Sequence, residues 1–120
     1  MTDESIGDEY IGIPWAKDGH SNKSCSCWGL VRLFYRNEYD IELPDITSVD
    51  SMAGAWFSVP VPMAGDILLF RTESGPHVGV ALNKTEMLHV DECTTSRIEN
   101  FKGLKWKNRL RKIYRYRLLA

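Results

Sequence analysis

The clearest periodic pattern in the chain begins at a cysteine in its first quarter. Apolar side chains recur there at i, i+3 and i+4, the spacing of one face of an α-helix, at Leu30, Leu33 and Phe34. Ser24 and Ser26 precede this segment, and either hydroxyl can cap the unpaired N–H groups of a first helical turn. The pattern predicts a helix over about residues 26–39, with Cys27 in its first turn.

Two other N-terminal segments carry apolar residues without a long regular period. Residues 10–15 form an apolar patch that Gly12 and Pro14 keep from becoming a long helix, so they predict a short docking segment. Residues 46–57 are expected to form a short second helix, with a serine cap followed by apolar positions: Ser48, Val49, Met52, Ala53 and Trp56.

After residue 63 the pattern changes to short runs that are rich in β-formers and separated by turn residues such as Asn83-Lys84. These runs predict strands within DILLFRT (66–72), HVGVAL (77–82), EMLHVDE (86–92) and LRKIYRYRL (110–118). Helices followed by strands predict an α+β domain with N-terminal helices packed on a small antiparallel sheet. The length of 120 residues suits a single domain spanning 1–120.

Charge changes this picture little. The formal net charge of -1 favours neither nucleic acid nor insertion into a membrane. The N-terminus MTDESIGDEY is acidic, so we expect no export signal.

Lys and Arg are concentrated in residues 102–117, between aromatic residues, a pattern that nucleic-acid-binding proteins also show. A strand with one packed face and one face that is solvated or docks on an acidic partner is the better interpretation.

Cys27 is the first candidate for chemistry. A thiol at the start of a helix lies near unpaired N–H groups and the positive end of the helix dipole, which lower its pKa from about 8.5 toward neutrality. The alternative is that Cys27 is only a small buried apolar residue. Cys25, Cys27 and Cys93 do not have the spacing of a zinc knuckle, and an odd number of cysteines disfavours a disulfide framework. We therefore predict no metal and no cofactor.

Two histidines can complete a site around this cysteine. His77 follows a Gly-Pro turn at the start of a strand, where an imidazole can face a cleft and act as a base. His89 lies 12 residues further on, and a hairpin turning near Asn83-Lys84 would bring the two side chains together. His89 could then orient His77. The alternatives are a surface imidazole at His77 and a core imidazole at His89 bonded to backbone.

The order of these motifs resembles the NlpC-type cell-wall endopeptidases. The motifs are Cys-x-Gly-Leu-Val on a helix, Gly-Asp before a strand, then His-Val-Gly and Leu-His. The segments YIGIPW, CWGLVRLFYR, Glu-Leu-Pro at 42–44 and WKNRLRKIYRYR resemble the bacteriophage tail-tip branch of that family. The resemblance covers nearly the whole chain, and it implies a papain-like α+β fold.

The resemblance also implies roles for individual residues. Cys27 would be the nucleophile, His77 the base and His89 the orienting third residue. Backbone N–H groups at the helix start would stabilise the oxyanion, and Trp15, Ser26 and Trp28 would lie around it as substrate-positioning or oxyanion residues. The chain departs from the family pattern at Ser26, where Asp is usual, and at Trp15, where Tyr is usual.

The implied function is hydrolysis of peptide bonds in the stem peptide of peptidoglycan. In the phage branch the protein would be made in the host cytoplasm, carried in the virion tail beside other tail-tip proteins, and act in the cell envelope. The alternative is a structural or assembly protein of the tail tip in which the fold persists and the catalytic activity is weak or absent.

Overall fold

The computed structural model describes residues 7–44 and 54–119, which form a small α+β domain. A short hairpin precedes the helix α1 (Cys27–Tyr39), and the remaining strands follow it. The strands are β1 (His20–Ser21), β2 (Ser24–Cys25), β3 (Trp56–Ser58), β4 (Ile67–Thr72), β5 (Gly75–Ala81), β6 (Glu86–His89), β7 (Arg97–Asn100) and β8 (Leu110–Tyr116). The predicted α+β class, with a helix packed on an antiparallel sheet, is confirmed.

The main sheet has the strand order β3-β8-β4-β5-β6-β7, and its described neighbours pair antiparallel. Each of the four predicted runs overlaps one of its strands, and β5 begins at Gly75, two residues before the predicted run HVGVAL. Strands β3 and β7 and the β1–β2 hairpin were not predicted. They are two to four residues long, too short for an alternating pattern to be recognised.

The predicted second helix is wrong at its C-terminal end. Trp56 and Phe57 belong to β3, and residues 46–53 of the prediction lie outside the described part of the chain. Gly54 has a φ of 91°, which a right-handed helix does not allow. The Trp56 ring packs on the ring of Tyr116, its partner in β8, at 4.8 Å between centroids. This cross-strand pair overrides the local helical pattern.

The helix α1 begins and ends as its sequence predicts. Ser26 is the N-cap, with its Oγ accepting a hydrogen bond from the N–H of Gly29 at 3.0 Å. The chain leaves the helix at Asp40, which adopts the left-handed conformation with φ 55°. Among residues 7–44 and 54–119, no helix has the length and apolar character needed to cross a membrane.

The sheet is covered on both faces. One face packs on α1 in a core that includes Leu30, Phe34, Ile67 and Val80. The other face forms a smaller cluster with residues that follow β7. Its members are Leu68, Phe70, Ala81 and Met87 from the sheet, and Phe101 and Trp106. Consecutive residues of β4 point to opposite faces, so Ile67 and Leu68 enter different clusters.

The C-terminal strand differs from the predicted division into one packed and one solvated face. Tyr114 and Tyr116 pack against the core beside α1, while Ile113 packs against the second cluster. Arg115 binds the buried carboxylate of Asp66 through Nε at 2.9 Å and Nη2 at 2.8 Å. The aspartate of the Gly-Asp motif therefore ties β8 to the turn before β4.

Candidate active site

Cys27 is the first residue of α1 and lines a cleft of about 450 Å³ between the helix and the sheet. Side chains from four other parts of the chain share this lining: Trp15, His77, Asp91 and Trp106. The helix can start so close to the hairpin because Gly29 has no side chain. A Cβ on Gly29 would overlap the backbone carbonyl oxygen of Gly19.

Burial controls the state of the Cys27 thiol. Burial raises its pKa above the ordinary value, and the N–H groups of Val78, Trp28 and Cys27 itself oppose this only in part. The expectation that the helix start would lower this pKa is wrong, because the loss of hydration outweighs the hydrogen bonds. The thiol is therefore protonated at neutral pH, and a nearby base must remove its proton before it can attack.

His77 lies on β5 and is 8% exposed. Its ring stacks on the indole of Trp106, with 5.5 Å between centroids and 23° between planes. Nε2 lies 2.9 Å from Nδ1 of His89, which leaves Nδ1 of His77 as the nitrogen that can receive the thiol proton. Burial and the neighbouring His89 lower the pKa of His77 to about 4, so the imidazole is neutral at pH 7.

His89 is fully buried on β6, in the hairpin that follows β5. The predicted cross-strand proximity of the two histidines is confirmed by the 2.9 Å contact between their rings. The Nε2 of His89 lies 2.8 Å from Oε1 of Glu99 on β7. Burial lowers the pKa of His89, so this imidazole is neutral as well.

Three charged side chains surround the histidine pair: Asp91, Arg97 and Glu99. Oδ1 of Asp91 lies 3.4 Å from Nε2 of His77 and 3.8 Å from Nδ1 of His89. Arg97 holds the other oxygen of Asp91 at 2.7 Å and lies 3.2 Å from Glu99. The arginine thereby fixes both carboxylates beside the imidazoles.

The three residues predicted around the oxyanion have different positions. Trp15 is half-buried and lines the cleft with Cys27. Ser26 acts as the helix cap. Trp28 is 4% exposed, and its indole N–H donates to the carbonyl of Pro44, so its side chain belongs to the core. Its backbone N–H, which lowers the pKa of the Cys27 thiol, is the part of Trp28 that faces the Cys27 sulfur.

Four site residues were missed by the sequence analysis: Asp91, Arg97, Glu99 and Trp106. Asp91 could have been predicted from the sequence. It lies two residues after the candidate His89, and residues two apart in an extended segment have side chains on the same face. Glu99 lies on β7, a strand too short to be predicted. Trp106 was assigned to a basic C-terminal stretch, and nothing in the local pattern shows that its ring packs on His77.

Within the described residues, His77, His89 and Asp91 form the one group whose ligand atoms converge as a metal site requires, all within 4.8 Å. The 2.9 Å hydrogen bond between the rings and the ion pair of Asp91 with Arg97 account for this convergence. The cysteines do not share a site. Cys25 is buried with its thiol donating to the carbonyl of Ser21, and Cys93 is exposed.

Sequence comparison finds relatives among murein peptidases. The murein DD-endopeptidase MepS/murein LD-carboxypeptidase of Escherichia coli strain K12 is 29% identical over 108 residues, which cover 87% of this chain and 57% of that protein. A probable endopeptidase of Haemophilus influenzae is 27% identical over 84 residues, which cover 68% of this chain and 52% of that protein. This chain thus spans little more than half the length of these relatives.

Solved structures share the fold. The crystal structure of the NlpC/p60 domain of the peptidoglycan hydrolase SagA superposes with a TM-score of 0.69 at 22% identity, covering 94% of this chain and 97% of that one. A protein of the same family from Bacillus cereus gives a TM-score of 0.75 at 18% identity, covering 97% and 40%. The model of the NlpC/P60 family matches residues 12–115. The resemblance of the sequence motifs to the NlpC-type family, though not to its phage branch, is thereby confirmed, and the chain belongs to the NlpC/P60 family.

Proposed function

We propose that this protein is a cysteine endopeptidase that hydrolyses peptide bonds in the stem peptides of peptidoglycan. The observation that carries the proposal is the shared cleft, in which Cys27 and His77 lie together and His89 supports His77 at 2.9 Å. A nucleophile, a base and a group that orients the base form the common arrangement of cysteine peptidases. The names of the relatives, murein endopeptidase and peptidoglycan hydrolase, support the choice of substrate.

The first half of the proposed reaction forms a thioester. Nδ1 of His77 takes the proton of the Cys27 thiol, and the sulfur attacks the carbonyl carbon of the scissile bond. Backbone N–H groups at the start of α1, those of Cys27 and Trp28, donate to the oxyanion. The imidazolium returns its proton to the leaving amine, the C–N bond breaks, and the acyl group remains on sulfur.

The second half regenerates the enzyme. His77 takes a proton from a water molecule, and the resulting hydroxide attacks the thioester carbonyl. The C–S bond breaks, the thiolate recovers the proton from His77, and the carboxylic acid product leaves. Asp91, at 3.4 Å from Nε2, stabilises the imidazolium in both halves, because its negative charge raises the pKa of His77 against the effect of burial.

Digestion of defined muropeptides tests this proposal. The purified protein, Cys27→Ala and Cys93→Ala are incubated with muropeptides, and the products are separated and weighed by mass spectrometry. Cys93 is exposed and outside the site, so its variant controls for general thiol effects. We expect cleavage by the wild type and Cys93→Ala and none by Cys27→Ala. A folded wild-type protein that leaves every muropeptide intact would contradict the proposal.

We further propose that the enzyme is carried in a phage tail tip and opens peptidoglycan in the cell envelope. The support is the set of segments that resemble the tail-tip branch, from YIGIPW at residues 10–15 to WKNRLRKIYRYR at 106–117. None of the relatives named above is described as a phage protein. Immunodetection in purified particles of the phage tests the idea; detection bound to other tail-tip proteins supports it, and absence from the particles contradicts it.

A structural or assembly role without turnover is the second candidate. Ser26 and Trp15 favour it, because both replace residues that are usual in the family. Ser26 is weak support for an inactive protein, because its hydroxyl caps α1 as an aspartate would. The muropeptide digestion separates the two candidates.

A further inference from the structure

Glu99 is the outermost member of a chain of hydrogen bonds that ends at the catalytic cleft. It lies on β7 opposite Met87, two positions along the strands from the pair that Arg97 makes with His89. Its Oε1 is 2.8 Å from Nε2 of His89, and Nδ1 of His89 is 2.9 Å from Nε2 of His77. The side chain of His89 is fully buried, so its two ring nitrogens depend on these protein partners.

The charge of Glu99 determines which partner donates in its hydrogen bond with His89. Burial raises its pKa, but the hydrogen bond from His89, the indole N–H of Trp106 and the charge of Arg97 together lower it below the ordinary value. The buried Trp106 N–H makes no hydrogen bond of normal geometry within the described residues, so its effect is a weaker one. An ionised carboxylate only accepts hydrogen bonds. The proton of His89 must therefore be on Nε2.

The position of the proton on His89 determines which nitrogen of His77 is protonated. A neutral imidazole with its proton on Nε2 has a free lone pair on Nδ1, so Nδ1 of His89 accepts. The donor is then Nε2–H of His77, the atom 2.9 Å away. With its single proton on Nε2, His77 has an unprotonated Nδ1, the form that a general base needs. In the opposite tautomer, Nδ1 would carry a proton and could not accept one from Cys27.

We propose that Glu99 is a positioning residue that sets the tautomers of both histidines and so keeps Nδ1 of His77 available to the Cys27 thiol. This inference deepens the proposed function and rests on it. Asp91 cooperates, because its Oδ1 lies 3.4 Å from Nε2 of His77 and favours a proton there. Loss of Glu99 therefore reduces the active tautomer to a minority of the population without abolishing it.

Nitrogen NMR of the histidine side chains tests the tautomers without any need for turnover. Protein labelled with ¹⁵N-histidine is compared at pH 7 as wild type, Glu99→Gln, Glu99→Leu and Glu86→Leu. Glutamine keeps a carbonyl acceptor, leucine removes it, and Glu86 is an exposed glutamate on β6 that contacts Asn83 rather than a histidine. We expect Nε2–H in both buried rings of the wild type, Glu99→Gln and Glu86→Leu, and a mixture of tautomers in Glu99→Leu.

Kinetics on the muropeptide substrate provide the second readout. For Glu99→Leu we expect kcat to fall roughly 10- to 100-fold with KM changed less than about threefold, and Glu99→Gln to recover most of the rate. Nδ1–H rings in the wild type, unchanged tautomers in Glu99→Leu, or an unchanged kcat despite altered tautomers would overturn the inference. A wild type without turnover refutes the proposed function, while the NMR comparison still decides the role of Glu99.

Discussion

Nε2 of His77 lies 2.9 Å from Nδ1 of His89, although the two residues are 12 positions apart in sequence. The hairpin of β5 and β6 causes this proximity, because it pairs Val80 with Leu88 and Ala81 with Met87. The contact is buried and joins two neutral rings, so the proposed base at the cleft is held by another imidazole. It makes His89 the residue through which the sheet orients His77.

The first prediction concerns the acceptor at position 89. Replacing His89 with Asn keeps a carbonyl acceptor for Nε2–H of His77, whereas His89→Ala removes it. We expect kcat to fall at least about 100-fold in His89→Ala and clearly less in His89→Asn, since an orienting partner of a catalytic histidine contributes on this scale. Steady-state kinetics check this, with circular dichroism to confirm folding; equal rates for both folded variants would contradict it.

The second prediction follows from the buried neutral state of His77. In the unfolded chain its pKa is the ordinary 6.5, and in the folded protein it is about 4. As the pH falls from 6.5 toward 4, the unfolded chain gains a proton that the folded protein does not, so the free energy of unfolding decreases. The decrease from this group is roughly 3 kcal/mol.

Urea unfolding measured between pH 7.5 and about pH 4 checks this pH dependence. Asp91 and Glu99, whose pKa values are also lowered, add to the loss at the acidic end. His77→Gln removes one of the titrating groups, so its unfolding free energy should vary less over the same range than that of the wild type. Identical pH profiles for the two proteins would show that His77 is not held neutral.

Much of the fold could be predicted because the decisive signals are local. The spacing of Leu30, Leu33 and Phe34 is sufficient for the helix, and Ser26 marks its start. The strands with long runs of β-formers were found for the same reason. Trp56 was misassigned because its pairing with Tyr116 is a contact between distant parts of the chain, which local periodicity does not contain.

The same difference between local and distant contacts separates the site residues that were predicted from those that were missed. Cys27, His77 and His89 were found because a helix start, a run of β-formers and a hairpin are local features, although His77 is the third residue of β5 and not its first. Glu99 and Trp106 were not, since their contacts with the histidines depend on which strands become neighbours in the sheet. The lowered pKa expected for Cys27 was wrong because burial is a tertiary property that a helix start does not reveal.

The third prediction tests Ser26, the residue before the proposed nucleophile Cys27, where the sequence departs from the family pattern. Its Oγ accepts from the N–H of Gly29 at 3.0 Å. Ser26→Ala should lower the free energy of unfolding by about 1 kcal/mol, while Ser26→Asp, which also caps, should stay within about 0.5 kcal/mol of the wild type. Chemical denaturation checks both; equal stability of Ser26→Ala and the wild type would show that the cap contributes nothing.

The fourth prediction concerns Gly29, the glycine of the Cys-x-Gly motif. A Cβ at this position would overlap the carbonyl oxygen of Gly19, so the helix and the β1–β2 hairpin would have to separate. Gly29→Ala should cost about 3 kcal/mol or more, even though alanine favours helices. Gly103→Ala is the matched control, because its Cβ would meet only Asn100 at 3.6 Å. Thermal unfolding of both variants checks the difference, and similar melting temperatures would contradict it.

The most direct test of the central claim is capture of the acyl group on Cys27. The protein is mixed with a stem-peptide substrate, quenched in acid within the first turnover, digested and mapped by mass spectrometry. Cys25→Ala is used alongside the wild type, so that the peptide containing Cys27 carries a single thiol. We predict a thioester on Cys27 that accumulates and decays, and no such adduct when His77→Ala is treated in the same way. An adduct on Cys93, or full turnover by Cys27→Ala, would contradict the account.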